Sequence, residues 1–342
     1  MLPTAPPRTA GPRAPVDAGA AFLPTLLAAS AATGQPVYLD GFRAEAVRPG
    51  LLRPDLAVVR AAAAVCGAEV DGATVGSTTL AFRPGAVRSG EVRVAVGAGG
   101  SAVRVVQAAL PALLTAPGPS RLVVDGATFA PGALSAEALR LSVVPALGRM
   151  GADVAVTVEC HGFAPVGGGR VVVVVRPGPL TAVDLETRGP VAGRRVRAVV
   201  SGLPDRVTRR ALAAAAELLD WDRSAFAAEP VVAAGPGLAL VAKVETDLGA
   251  TTLTALGSPG VPASEVAARL VRQVRAAEAS DAPLGPADVA ALVVPVALAG
   301  GGVVRAAGLG LRARIAVEAI RHAGLTVRVL DEPGGSVRVV VG

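Results

Sequence analysis

The chain of 342 residues carries two histidines, His161 and His322, and two cysteines, Cys66 and Cys160. An unprotonated imidazole serves as nucleophile or proton carrier, so the histidines come first. His161 stands in "ECHGFAPVGGGRVVVVV", Glu159 to Val175, beside a proline, three successive glycines and a wall of valine. A catalytic histidine, a phosphate-cradling loop and a plain hairpin can each be written this way. The glycines lead into a strand-like run rather than a helix N-terminus, which favours a turn over a phosphate loop. His322, in "AIRHAG", reads as a residue near a helix C-terminus, where a cation suits the dipole. Two cysteines make neither a disulfide framework nor a zinc site, and a reducing cytoplasm is expected.

Positive charge is the second resource. Lys+Arg number 33 against 27 Asp+Glu, a net charge of +6, and Lys243 is the sole lysine. Guanidinium forks bind phosphate bidentately, which suits RNA or a nucleotide. A GC-rich genome that writes arginine for lysine gives the same composition. Arg43, Arg48 and Arg53 surround "RPGLL", while Arg305, Arg312 and Arg314 cluster near the last helical segment. Each set reads either as phosphate contacts or as solvated ends of elements. Aromatic residues make up 2%, too few for base stacking as the main mode of RNA binding.

The elements that must position these groups are written in valine, leucine and alanine. Hydrophobic residues reach 52%, with valine runs for strands and Ala/Leu/Arg runs for helices. Three stretches echo one another: Ala61–Gly85, Val143–Gly178 and the C-terminal run from Ala316. Each reads as a helix ending near glycine, a strand, a Gly-containing turn and a second strand. A further helix and short strand precede each one. The expected fold class is therefore α+β, with three repeated βαβαββ-type units in a large domain. The segment 184–282 breaks the rhythm and reads as a small inserted α+β domain, leaving 17–183 and 283–342 as the large one. Within it one helix sets Leu212, Leu218 and Leu219 on one face, and another has Ser264 as candidate N-cap. "SDAPLGPAD" reads as a linker, and residues 1–16 as a disordered Pro-rich tail. "AGAAFLPTLLAASAATG" imitates a signal peptide, but Pro24 interrupts it. No apolar run reaches a membrane-spanning length of ~18 residues before a Gly, Pro or Arg breaks it.

"RPGLLRPDLAVVRAAAAVCGAEVDGATVGSTTLAFRPG", "GAGGSAVRVVQAALPALL", "GRMGADV", "HGFAPVGGGRV", "ALGSPGVPASEVA" and "VVPVALAGGG" follow one another in an order that resembles the RNA 3'-terminal phosphate cyclase family. The resemblance runs from about Asp17 to the C-terminus. It implies three repeated units with a small insert, and RNA 3' ends as partner. It also implies conversion of an RNA 3'-phosphate to a 2',3'-cyclic phosphate with ATP and Mg²⁺ or Mn²⁺. In that chemistry a histidine attacks the α-phosphate and carries AMP.

The same resemblance shows where this chain departs from the family. Gly310 falls where the nucleophilic histidine of a Ser-x-His-x-x-Thr-Asn-Ile-like motif belongs, with Ala313 at its threonine and Arg314 at its asparagine. Ala287, Asp288, Val289, Ala290 and Ala291 replace a His-Leu-Ala-Asp-Gln-like nucleotide segment. Ala21, Pro24 and Ala95 stand where a glutamine, an arginine and an aspartate are expected; Asp17 and Gln107 remain as ATP-site candidates. Arg43, Arg48, Arg53, Arg312 and Arg314 are the candidate RNA contacts, and no metal ligand is assigned. Loss or alteration of the cyclisation chemistry is the expected consequence, with a protein that binds RNA ends or a partner. An active cyclase with a relocated nucleophile and an enolpyruvyl transferase are the alternatives.

Overall fold

A computed structural model describes residues 19–247, 249–332 and 335–342, apart from the side chains of residues 19–21 and Arg312. Asp17 and the tail 1–16 lie outside the described residues. Helix α1 (Gly19–Thr33), strand β1 (Val37–Leu39), helix α2 (Arg53–Cys66) and strands β2 (Glu69–Asp71) and β3 (Leu80–Arg83) come first. Their sheet has the order β1-β3-β2, antiparallel throughout. The apolar run that imitates a signal peptide is α1, and it packs against α2 and other core helices. A helix apolar all round belongs in a core, and Phe22, Leu23, Leu26 and Leu27 are fully buried there.

Next come β4 (Gly90–Ala95), α3 (Ala102–Leu114), β5 (Ser120–Gly126), α4 (Ala136–Ala138), a π-helical turn Leu139–Val143, α5 (Val144–Arg149), β6 (Asp153–Cys160) and β7 (Gly169–Arg176). Their sheet runs β4-β5-β7-β6; β4 and β5 are parallel and the other pairs antiparallel. The valine wall is β7, paired on both edges, and "HGFAPVGGG" is the connection from β6, a turn as expected.

Strand β8 (Val183–Leu185) precedes β9 (Val191–Ser201), α6 (Asp205–Leu219), a 3₁₀ turn Arg223–Ala225, β10 (Phe226–Pro230), β11 (Gly237–Thr246), β12 (Gly249–Leu256) and α7 (Ala263–Ala279). Strands β10-β9-β11-β12 form a sheet covered by α6 and α7, with its own buried cluster that includes Val196, Leu240, Leu270 and Val274. The buried face of α6 is Thr208, Ala211, Ala215 and Leu219, whereas Leu218 is 39% exposed. The 4-residue spacing from Ala211 through Ala215 to Leu219 wins over the three leucines that the sequence suggests. Helix α7 begins at Ala263 after Pro262, one residue before Ser264, because proline has no N–H to lose at a helix start.

The chain closes with α8 (Val289–Leu298), β13 (Gly302–Ala306), α9 (Leu311–His322), β14 (Val327–Asp331) and β15 (Val337–Val341). Strand order here is β8-β13-β15-β14, parallel for the first pair and antiparallel for the others. That is the order and orientation of β4-β5-β7-β6. The architecture is α+β. The largest buried cluster joins α1, α2, α3, α8 and α9 with strands of three sheets. A third cluster, Phe129, Phe163, Val199, Ala239 and Val241, joins the loops around β5 and β7 to the β10-β9-β11-β12 sheet. Among the described residues no helix is long and apolar enough to cross a membrane.

Candidate functional site

Residues 280–288, which read as a linker, are largely buried: Ala282, Pro283, Leu284 and Gly285 have little contact with solvent. Leu284 makes a parallel bridge to Ala306, and the segment becomes one wall of a cleft. The other walls are the loop from Phe129 to Ser135, strand β12 and one face of α7 with Arg269, Arg272 and Gln273. Its volume is about 740 Å³, within the range of small-molecule sites.

Most of the lining is apolar, and its polar groups are few. Ser135 Oγ and Thr254 Oγ1 share a hydrogen bond of 2.9 Å, and Gln273 Nε2 donates to the Thr254 carbonyl at 3.3 Å. Arg269 Nη2 donates to the Leu256 carbonyl at 3.3 Å, but its buried Nε makes no hydrogen bond. The nearest carboxylate to that Nε is Glu265, 4.0 Å away. Thr252 donates its backbone N–H to Ser142 Oγ at 2.8 Å, while its buried hydroxyl makes no hydrogen bond. Asp288, 1% exposed, accepts the Gly285 N–H on Oδ2 at 2.9 Å. Oδ1 has no partner among the described residues. Burial pushes the Asp288 carboxyl up to about 7, opposed by the Gly285 hydrogen bond.

Of the residues that the resemblance assigns to ATP, Ala287 and Asp288 line this cleft. Val289 is buried at the start of α8, and Ala290 and Ala291 are half-buried one turn along. Gln107 lies half-buried on α3, which packs on α8, and makes no hydrogen bond among the described residues. Pro24 is buried within α1, and Ala95 is exposed at the end of β4. Gly310 caps α9 with φ −62° and ψ 161°, extended backbone open to any residue, and it is exposed rather than core-facing. A Cβ placed there would lie 3.6 Å from Pro286 Cβ, and Pro286 lines the cleft. The position that the resemblance assigns to the nucleophile therefore adjoins the cleft wall.

The candidate RNA contacts separate into two kinds. Arg43, in left-handed backbone at φ 50°, donates to the Gly50 carbonyl and pairs with Asp55 at 2.8 Å. Arg48 and Arg53 are exposed and make no ion pair among the described residues. Arg314 is exposed and stands 3.6 Å from Asp331; the Arg312 side chain lies outside the description. Arg305 is held by Asp281, Glu332, Ser336 and the Glu186 carbonyl. Arg43, Arg48, Arg53 and Arg314 do not line the cleft.

His322 Nδ1 lies 2.7 Å from the Glu318 carbonyl at the end of α9, away from Gly310 at its start. His161 stacks on Phe129, which lines the cleft, at 5.5 Å and 19°. Its Nδ1 is buried without a partner. Burial holds its imidazole below the usual pKa; Glu137 and Glu229 oppose that, and Arg197 and Arg140 add to it. Thr252 and Arg269 give no sign of themselves in the sequence, since a strand threonine and a helical arginine are ordinary. Asp288 did carry one, an acid just ahead of a helix in an otherwise apolar stretch.

A family model described as RNA 3'-terminal phosphate cyclase matches residues 16–327. An RNA 3'-terminal phosphate cyclase of Ectopseudomonas mendocina (strain ymp) is 36% identical over 285 residues, 83% of this chain and 84% of that one. One from Pseudomonas aeruginosa (strain LESB58) is 40% identical over 290 residues, 84% of each chain. Among solved structures, the enolpyruvyl transferase NikO from Streptomyces tendae superposes with a TM-score of 0.39 at 15% identity, over 96% of this chain and 48% of that one. That likeness is too slight to bear on fold or function.

Proposed function

Because the chain belongs to the RNA 3'-terminal phosphate cyclase family, we propose that it binds RNA 3' ends at the cleft and has lost the ATP-dependent cyclisation of a 3'-phosphate. The observation that carries this reading is Gly310, beside the cleft wall at Pro286, with no side chain to attack a phosphate. Ala290 and Ala291 supply neither charge nor hydrogen bond nearby. A nucleoside suits the volume and mixed lining of the cleft, and of the lining residues only Arg269 and Arg272 carry a charge that would attract a triphosphate. Among the described residues no three His, Cys, Asp or Glu side chains gather where they could hold a metal ion. No step through ATP or metal is therefore derived for this chain.

Residues 17–183 and 283–342 form the large domain in this reading, and 184–282 the insert that contributes β12 and α7 to the cleft. The test pairs two measurements on the purified protein. A 3'-phosphate oligonucleotide should bind, and incubation with labelled ATP and Mg²⁺ or Mn²⁺ should leave no acid-labile AMP adduct. A stoichiometric adduct on any histidine would sink the reading. One observation favours a second reading, transfer from a relocated nucleophile: His161 offers an imidazole kept neutral by burial, stacked on a cleft-lining ring. An adduct mapped to His161 would establish that alternative.

A further inference from the structure

Helix α6 covers one side of the β10-β9-β11-β12 sheet and turns Thr208, Ala211, Ala215 and Leu219 inward. Its outward stripe carries Arg206, Arg209 and Arg210, all exposed. At 3.6 residues per turn these three fall within about 100° of arc. Several other arginines around the same sheet hold partners. Arg194 pairs with Glu278 at 2.7 Å, and Arg197 with Glu137 and Glu229. Arg188 donates to the Ala277 carbonyl at 2.8 Å, and Arg275 to the Leu218 carbonyl at 2.7 Å. Arg206, Arg209 and Arg210 make no ion pair and no side-chain hydrogen bond among the described residues.

Folding gives no reason for them. Arg206 stands in the first turn, where the helix dipole favours an anion, and Asp205 already serves that end. Arg206 repels Arg209 and Arg210 at the i,i+3 and i,i+4 spacings, which destabilises a helix. Glu217 is the one carboxylate of α6 further along the stripe, about 10 Å beyond Arg210 at 1.5 Å per residue. Cations kept free of partners, at a cost to the element that carries them, suit an anion from outside. The stripe sets charge around Ala213 and has no large apolar anchor in its midst, whereas an interface with a folded protein is centred on such anchors. Contact with a phosphate backbone needs only the charge.

We infer that the outward face of α6 holds the sugar–phosphate backbone of RNA at Arg206, Arg209 and Arg210, a second anchor upstream of the 3' end. The inference rests on the reading of the protein as one that binds RNA 3' ends. Helix α6 packs on α7, which lines the cleft with Arg269, Arg272 and Gln273, while α6 itself adds nothing to the lining. The outer face of α6 therefore lies on the order of two helix diameters, roughly 20 Å, from the cleft. Nucleotides in a stacked strand advance by about 3.4 Å each. A trinucleotide then covers about 10 Å and stays at the cleft, whereas a dodecanucleotide covers about 40 Å and reaches α6. This anchor reads length and charge but no sequence, because phosphates are alike whatever base they carry.

The experiment measures binding of a trinucleotide and a dodecanucleotide RNA, both 3'-phosphorylated and identical at their 3' ends, to the full chain by fluorescence anisotropy. Wild type is compared with a variant combining Arg206→Gln, Arg209→Gln and Arg210→Gln, and with one combining Arg206→Lys, Arg209→Lys and Arg210→Lys. Wild type at low salt should bind the longer RNA at least about tenfold more tightly than the shorter. In the glutamine variant that advantage should vanish and the log–log salt slope should fall by about two, at about 0.7 per phosphate contact, with trinucleotide binding unchanged. The lysine variant keeps the charge and should keep the affinity. Thermal unfolding checks the fold, and the glutamine variant should be no less stable than wild type, since it relieves the repulsion along α6. Unchanged binding of the longer RNA by the glutamine variant, or an equal loss for both lengths, overturns the inference and leaves the cleft reading in place. A trinucleotide that fails to bind wild type, with the longer RNA still lost in the glutamine variant, supports α6 as an anchor and overturns the cleft as the seat of the 3' end. Polyglutamate that displaces the longer RNA at equal charge would make the face a dock for an acidic protein, and overturns the inference as well.

Discussion

Asp288 makes the stability of the fold depend on pH in a direction unusual for an aspartate. Its folded pKa is raised to about 7 from 3.8, so the folded state holds a proton that the unfolded chain has released. The stability it contributes is complete below the unfolded value and is lost as pH rises to about 7. Asp288→Asn removes that dependence. Relative to wild type it should be more stable at pH 8 than at pH 4, by on the order of 4 kcal/mol, read from urea unfolding at both pH values. Gly310→His tests the other end of the site. Its φ of −62° admits any residue, and the added Cβ makes ordinary contact with Pro286, so the variant should fold with unchanged melting temperature. Cyclisation of a 3'-phosphate oligonucleotide should still be absent, because misplacement of reacting groups alone costs about a hundredfold and Ala290 and Ala291 place nothing. Turnover near that of active family members would mean the rest of the site is intact. Arg43 and Arg48 separate structure from binding. Arg43→Ala strands the carboxylate of Asp55, whose side chain is 9% exposed, and should cost about 3 kcal/mol in urea unfolding. Arg48→Ala should leave stability unchanged and lower RNA affinity.

At the scale of elements, the loop from His161 to Gly168 does more than turn the chain. It carries Phe163 into the small cluster with Phe129, Val199, Ala239 and Val241, and so fastens one sheet to another. Gly237, at the start of β11, leaves room for that ring: a Cβ there would fall 2.1 Å from Phe163 Cγ. Gly237→Ala should therefore cost about 2–3 kcal/mol of stability by forced displacement, measurable as a lowered midpoint in urea. Local patterns made much of this fold legible. The valines of β7, the Gly67 stop of α2 and the apolar α1 each follow from periodicity and turn chemistry within one segment. What stayed illegible depends on partners far along the chain. Leu218 looks like a core residue until α7 sets which face of α6 is covered. "SDAPLGPAD" has linker composition, yet Leu284 and Gly285 are buried because β12 and β13 pass beside them. Of the candidate site, the motif comparison located Gly310, Ala287 and Asp288 near one cleft. It could not find Thr252 or Arg269, which become site residues only through the packing of β12 and α7 against the 129–135 loop.

For the whole molecule, charge and assembly give the remaining expectations. A net charge of +6 carried almost wholly by arginine favours phosphate contacts that release counterions. With about three such contacts on single-stranded RNA, affinity should fall roughly twentyfold between 50 and 200 mM salt in filter binding. Retention that does not change with salt, or none at low salt, would count against the arginines as RNA contacts. The cleft itself is built from stretches more than a hundred residues apart, the loop from Phe129 to Ser135 and the α7 face from Arg269 to Ala277. The loop is rooted beside the largest buried cluster and α7 belongs to the separate cluster under β10-β9-β11-β12. A ligand seated between them touches both, so it behaves as a removable rivet. The Phe163 cluster already fastens the two cores, and a ligand adds a further tie, so its binding should raise the melting temperature of both together.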